Sequence, residues 1–441
     1  MRRFLWFIYR YGLLAAVYKA FQRGYEPHGM GLCYLLRYGV CRVGAKVTIP
    51  TRRCFVVNRT LKSATDVDIV LTHGLGGGAE SYLSHKISTA PPSRAIFVIK
   101  PTHSVGLYSV DLYLRDKKVI WFFVVGLEAF AGLAGRKCRI IINELVGWPT
   151  KGKVVCNETF SLLVGKLLVL KERLGAGIHY LLHDYYCICP KYTLVDPSGA
   201  YCRSEVDMER CPDCLRTMAW NEAVSSVRQW REDYLRLLAA CEKVISFSKD
   251  SKERLQKCYR GLSVEVLPHE LPVQLKQLSH IKELPLVIGV VGSLYPEKGL
   301  HIVKSLAEYI SHVGRNDVRI KIVGTVPRNV VMPSNVDVHG HYDVQNLSAI
   351  IENEGINLAF VSSVCVETFS YVTKELIALG LPIVCFDLGA QRDHVASYSK
   401  GAIIPEISAK STWDTILRLY DKVYGTGQLK VAENKEVGQN A

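Results

Sequence analysis

The chain has 441 residues, 49% hydrophobic and 22% charged, with 17 prolines spread along it. That composition excludes a disordered or fibrous chain, and the length exceeds what one core accommodates, so two domains are expected. A net charge of +14 suits an acidic partner such as a phosphorylated ligand or an anionic membrane surface. No aromatic-interleaved basic stretch or recognition signature supports nucleic acid.

The basic excess is concentrated at the start, where residues 1–53 carry ten Lys or Arg against the single acid Glu26. The opening MRRFLWFIYRYGLLAAVYKAF is interrupted by Arg10 and Lys19, too short and too charged to span a bilayer. It also lacks the cleavage site of a signal peptide. Phe4, Ile8, Tyr11, Ala15 and Tyr18 share one helical face, as an interfacial helix on anionic lipid would require; a helix packed on the first domain is the alternative. Residues 1–65 are therefore set apart as a basic, membrane-associating segment.

From Asp66 onward short apolar runs alternate with helical stretches. Strands are expected at Val67–Leu71, Ala95–Ile99, Val119–Val125, Arg139–Ile142, Ile178–Leu182, Val244–Phe247 and Val264–Leu267, with helices such as Val224–Leu238 and Lys249–Tyr259 between them. These runs are rich in Val, Ile, Leu and Phe, as strands buried on both faces should be. The pattern is a doubly wound α/β sheet over 66–270. Residues 271–285 lie in a stretch bracketed by prolines and read as a linker. The alternation then restarts at Leu286–Gly292, Arg319–Val323, Val336–Val338, Leu358–Val361 and Pro382–Phe386, a second Rossmann-like domain over 286–425. A polar tail, 426–441, closes the chain. Ligands of open parallel sheets bind beyond the carboxyl ends of the strands.

The first such edge carries THGLGGGAE (72–80), four glycines in five positions between a strand and a helix. Gly74, Gly76 and Ala79 satisfy a dinucleotide fingerprint, but the second strand ends in Lys100 where that reading needs an acid for the ribose. A dehydrogenase is thereby excluded. Close backbone approach of an anion to the helix start remains, beside the plainer alternative of a Gly-rich turn. In the second domain, GSLYPEKG (292–299) puts Lys298 before a helix, where an ammonium suits a diphosphate. In VSSVCVETFSYVTKELIALG (361–380), Glu367 lies in a loop and Glu375 on the following helix. One carboxylate can take a sugar's hydroxyls and the other a ribose, while the N–H groups of Phe369, Ser370 and Tyr371 face phosphates.

Glu367-x7-Glu375 followed by ALGLPIVCFDLGA resembles the nucleotide-sugar site of glycosyltransferase family 4, the group 1 retaining transferases of GT-B fold, in its bacterial polysaccharide-type members. GSLYPEKG is similar to that family's G-R-L-x-x-x-K-G element, GGGAE (76–80) to its G-G-x-E element, and VISFSKDSKERL with VLPHE (244–270) to the close of its first domain. The resemblance implies two Rossmann-like domains facing a cleft. It places the backbone of Gly77 and Gly78 and the side chain of Lys298 on the donor diphosphate, Glu375 on the ribose, Glu367 on the transferred sugar and His183 near that sugar, with no metal needed for chemistry. Ser293 stands where the family has an arginine. The implied activity moves a sugar from a nucleotide-sugar donor to a polysaccharide or lipid-linked glycan at the inner face of the cytoplasmic membrane. A sugar-nucleotide epimerase and a non-catalytic GT-B subunit are the alternatives.

Fourteen dispersed cysteines indicate a reducing cytoplasm rather than a disulfide scaffold. Cys189, Cys202, Cys211 and Cys214 give C-x12-C-x8-C-x2-C in a hydrophilic insertion (187–214) after HDY. The C-x2-C spacing suits a structural zinc; unpaired thiols are the alternative.

Overall fold

The computed structural model describes residues 61, 64–73, 77–101, 108–114, 117–145, 157–217, 226–271, 273–278, 281 and 283–425. The membrane-associating expectation for residues 1–65 and the polar-tail expectation for 426–441 therefore fall outside them, apart from Leu61, Ala64 and Thr65. Among the described residues no helix is long and apolar enough to cross a membrane.

The first sheet has eight strands: β1 (Asp66–Leu71), β2 (Arg94–Pro101), β3 (Tyr108–Leu114), β4 (Lys117–Val125), β5 (Lys137–Ile142), β6 (Gly177–Leu181), β7 (Lys243–Ser246) and β8 (Glu265–Val266). Their spatial order is β4-β3-β2-β1-β5-β6-β7-β8. Helix α1 (Gly78–Ser88) follows β1, and α2 (Asn157–Leu174) precedes β6. Further on come α3 (Cys211–Arg216), α4 (Val227–Ala239) and α5 (Lys249–Cys258). The central strands pair in parallel, and Leu71 lies in register with both Ile99 and Ile142. One departure from a purely parallel sheet is the edge, where β3 runs antiparallel to both β2 and β4. Tyr108–Leu114 alternates polar and apolar residues, the pattern of a strand near an edge, and so escaped a search for continuous apolar runs. The run after β4 forms a 3-10 helix, Leu127–Leu133, that buries Leu127, Phe130 and Leu133.

The second sheet has six strands, all parallel: β9 (Val287–Val291), β10 (Arg319–Val323), β11 (Val336–Val338), β12 (Leu358–Val361), β13 (Ile383–Phe386) and β14 (Gly401–Ile404). Four helices cross between or after them: α6 (Leu300–His312), α7 (Leu347–Asn353), α8 (Tyr371–Leu379) and α9 (Gly389–Ala396). Helix α10 (Ala409–Tyr424) closes the domain. The order β11-β10-β9-β12-β13-β14 is the 3-2-1-4-5-6 order of a dinucleotide fold, with its switch point between β9 and β12.

Strand alternation sorts the second core into two layers. Ile288, Val290, Ile320, Phe360, Val384 and Phe386 pack with Val303, Leu306 and Ile310 of α6 and Ile416 and Tyr420 of α10. Their neighbours Val287, Val323, Ala359, Val361, Ile383 and Cys385 pack instead with Leu347 and Ile351 of α7 and Leu376 and Leu379 of α8. Both faces are covered, which is why the strands read as continuous apolar runs. By density of contacts the chain forms two compact units. The first runs to Leu181 and includes Glu232–Lys243; the second comprises Leu182–Ala219, Ser226–Arg231 and Val244 onward.

Candidate functional site

The second unit gathers polar groups where β9 and β12 end. The loop after β9 and the loop after β12 are joined by three hydrogen bonds. Ser362 Oγ donates to the Lys298 carbonyl (2.7 Å), and the amides of Val364 and Cys365 donate to the Glu297 carbonyl (3.1 and 3.3 Å). Gly299, at φ 82°, permits this approach, since a Cβ there would stand 2.0 Å from the Ser362 carbonyl oxygen. The result is an ion pair, with Lys298 Nζ 2.8 Å from Glu367 Oε1, and Ser363 Oγ donating to the same oxygen at 2.6 Å. Burial works against both charges, but the pairing outweighs it. Glu367 is held below its ordinary pKa and Lys298 above its own, so both stay ionised.

Helix α9 fixes the loop that carries Glu367. Gln391, fully buried, donates from Nε2 to the Cys365 carbonyl (2.9 Å) and accepts from the Glu367 amide (3.3 Å). The Ala390 amide donates to the Glu367 carbonyl (2.9 Å), and His394 Nε2 donates to the Phe369 carbonyl (2.7 Å). Burial lowers the His394 pKa, which favours the neutral ring. The loop ends at Ser370, a non-glycine in the left-handed region (φ 63°, ψ 76°), with its hydroxyl 2.8 Å from Thr373 Oγ1. No side chain caps the start of α8, and the positive dipole end of the helix there would favour an anion. One turn further on, Glu375 is 5% exposed and its Oε2 has no hydrogen-bond partner. Desolvation raises its pKa to about 7.

Lys298, Glu367, Phe369, Ser370, Tyr371 and Glu375 thus share one sheet edge. His183 belongs to the same unit, two residues past β6. Thr368 Oγ1 donates to its main-chain carbonyl (2.8 Å), and its ring lies 5.3 Å from that of His269. His269 was not singled out from the sequence although it stands in the quoted VLPHE. It is 7% exposed and its ring packs on Phe247 (3.7 Å), Phe369 (4.6 Å) and Tyr371 (5.3 Å). Only the fold brings those rings together. Ser293 accepts a hydrogen bond from Thr325 (2.9 Å) and supplies no charge.

Gly77 and Gly78 belong to the first unit. Gly77 caps α1 at φ 85°, ψ −167°, a conformation essentially reserved for glycine, and both residues are exposed. Gly74 and Gly76 lie outside the described residues. In the insertion, Cys189 is buried and Cys202, Cys211 and Cys214 are half-buried. After burial, the other three thiols help to raise the Cys189 pKa. Even so, among the described residues no group of three or more His, Cys, Asp or Glu could hold a metal ion.

The sequence model of the family described as Glycosyl transferases group 1 matches residues 285–422, the stretch that holds Lys298, Glu367 and Glu375. The chain carries a group 1 glycosyl transferase domain. The chain is also similar to a curated protein, the GDP-mannose-dependent alpha-mannosyltransferase of Mycobacterium tuberculosis, 31% identical over 123 residues. That match spans 27% of this chain and 30% of the mannosyltransferase. Two solved structures have a similar fold. Anabaena HepE in complex with UDP has a TM-score of 0.51 and 13% identity over 82% of this chain and 91% of its own. The pneumococcal O-GlcNAc transferase GtfA in complex with UDP and GlcNAc has a TM-score of 0.50 and 10% identity over 82% and 93%. The fold around the transferase domain is accordingly GT-B.

Proposed function

We propose that this chain is a retaining glycosyltransferase that moves a sugar from a nucleotide-sugar donor to a polysaccharide or lipid-linked glycan. The observation that carries the reading is Glu375: a buried carboxylate with an unpartnered oxygen, one turn beyond an uncapped helix start. A ribose offers two hydroxyl donors to such an oxygen, and the diphosphate beside it would meet the positive dipole end of α8. Lys298 would complete the diphosphate contacts within this unit.

Glycosyl transfer passes through an oxocarbenium-like state while negative charge grows on the departing phosphate, and a fixed cation and aligned dipoles stabilise that charge most. Glu367, ionised against Lys298, would hold the transferred sugar's hydroxyls. His183 would lie near that sugar, through its ring or its carbonyl. The leaving phosphate would help accept the acceptor's proton on the same face, so the chemistry would need no metal. The basic residues 1–53 support work at an anionic membrane surface on the cytoplasmic side.

Thermal shift with UDP, GDP, dTDP and ADP at millimolar concentration tests the reading. A ligand at 100 times its Kd stabilises by about 2.7 kcal/mol. One responding nucleotide, with the response abolished in Glu375→Ala, is the expected result. No response to any of them would favour a non-catalytic subunit, with Ser293 marking lost donor binding.

A further inference from the structure

The first unit has a switch point of its own, because β1 is flanked by β2 on one side and β5 on the other. In-register pairing of Leu71 with Ile142 brings the residues just past each strand together. Thr72 and His73 follow β1; Asn143 and Glu144 follow β5, and the amides of both donate to the Leu71 carbonyl (2.9 and 3.2 Å). His73 Nε2 stands 2.6 Å from Glu144 Oε2, each side chain 10% exposed. Asn143, 1% exposed, donates from Nδ2 to Thr72 Oγ1 (3.4 Å) and to the Ala79 carbonyl in the first turn of α1 (3.3 Å). Its Oδ1 has no hydrogen-bond partner.

A buried amide oxygen left unsatisfied is costly, and a switch point is where open α/β sheets bind ligands. The group of residues is short in reach and rich in acceptors, with one carboxylate already engaged by an imidazole. Such a set recognises a neutral hydroxyl donor better than an anion, because Glu144 would repel a phosphate. Burial keeps the Glu144 carboxyl above its ordinary pKa, and His73 only partly offsets it, so the pair sits in a poorly solvated place.

We infer that Asn143, with the His73–Glu144 pair, forms a hydroxyl-binding subsite that positions a sugar ring at the carboxyl edge of the first sheet. The inference rests on the glycosyltransferase reading for the identity of the ligand as a sugar. Two sources could supply that ring, the acceptor glycan or the sugar carried by the donor.

The test uses the full chain and two photoreactive diazirine probes, a methyl glycoside and a nucleoside-diphosphate sugar. Labelling of the peptides that carry His73 or Asn143–Glu144 is expected, and loss of at least tenfold in labelling for Asn143→Leu and Glu144→Gln. Labelling by the methyl glycoside assigns the ring to the acceptor; labelling by the nucleotide sugar alone assigns it to the donor. Because the wild-type labelling pattern needs no variant, the test survives a variant that fails to fold. No label on either peptide from either probe overturns the inference. Nucleoside-diphosphate thermal shifts run alongside separate the two failures. A preserved shift without labelling removes only this subsite, whereas loss of both removes the donor reading beneath it.

Discussion

Glu375→Gln removes a buried charge while keeping the side chain's shape, and its effect can be worked from the burial. A glutamate free in the unfolded chain ionises near 4.5, and this one near about 7. Each pKa unit is worth about 1.4 kcal/mol, so a separation of about 2.5 amounts to about 3 kcal/mol. The sign follows from proton binding: the folded chain holds the proton more tightly than the unfolded one. Stability is therefore lost as pH rises from about 4.5 to about 7 and is flat above that window. Glutamine has no proton to lose. Wild type and variant should be within about 1 kcal/mol of each other at pH 5. By pH 8 the variant should be the more stable by about 3 kcal/mol, which for a unit of this size is a Tm difference of roughly 5–10 °C.

The assay is thermal or urea unfolding of both proteins at pH 5 and pH 8 without ligand. Equal pH slopes for the two would refute the claim that this carboxyl is desolvated in the fold. Function should run the other way. A ribose that donates to the ionised carboxylate relieves the penalty, so nucleotide affinity should rise between pH 6 and 8 in wild type and stay level in the variant. Stability gained together with ligand binding lost is the signature of a group buried for a ligand rather than for the core.

Lys298→Ala should leave Glu367 without its cation (the pair is 2.8 Å apart) and lower transfer by about 10²–10³-fold, read as kcat/KM for the donor once it is known. His394→Ala should raise the donor KM several-fold by releasing the Phe369 carbonyl, with partial recovery in His394→Gln; an unchanged KM in both would mean that α9 does not hold the loop. Gly77→Ala meets no neighbouring atom, so its cost should be backbone strain alone, about 1–3 kcal/mol by urea unfolding. Gly299→Ala combines a left-handed φ with a Cβ 2.0 Å from the Ser362 carbonyl oxygen and should be the more damaging glycine change in a side-by-side melt.

The strands Val287–Val291, Leu358–Val361 and Ile383–Phe386 were legible because they are buried on both faces, and such a run then has no polar position to break it. Tyr108–Leu114 and Gly401–Ile404 were missed for the converse reason: one alternates, and the other is four residues, three of them only half-buried. The spacing of Glu367 and Glu375 was readable because a loop and one helical turn fix it locally.

What the sequence by itself determined is the set of chemical groups and their local setting: a lysine before α6, a carboxylate in a loop, a carboxylate on a helix, glycines at a helix start. Local backbone geometry and hydrophobic period suffice for these, since both act over a few residues. Tertiary structure alone decided which groups are neighbours and which are dry. Lys298 and Glu367 are 69 residues apart and meet because β9 and β12 are adjacent at the switch point. His73 and Glu144 meet because β1 and β5 are. The Glu375 pKa follows from its burial by the fold. Strand order and desolvation depend on long-range pairing and on burial by the whole fold, and no short stretch of sequence carries either.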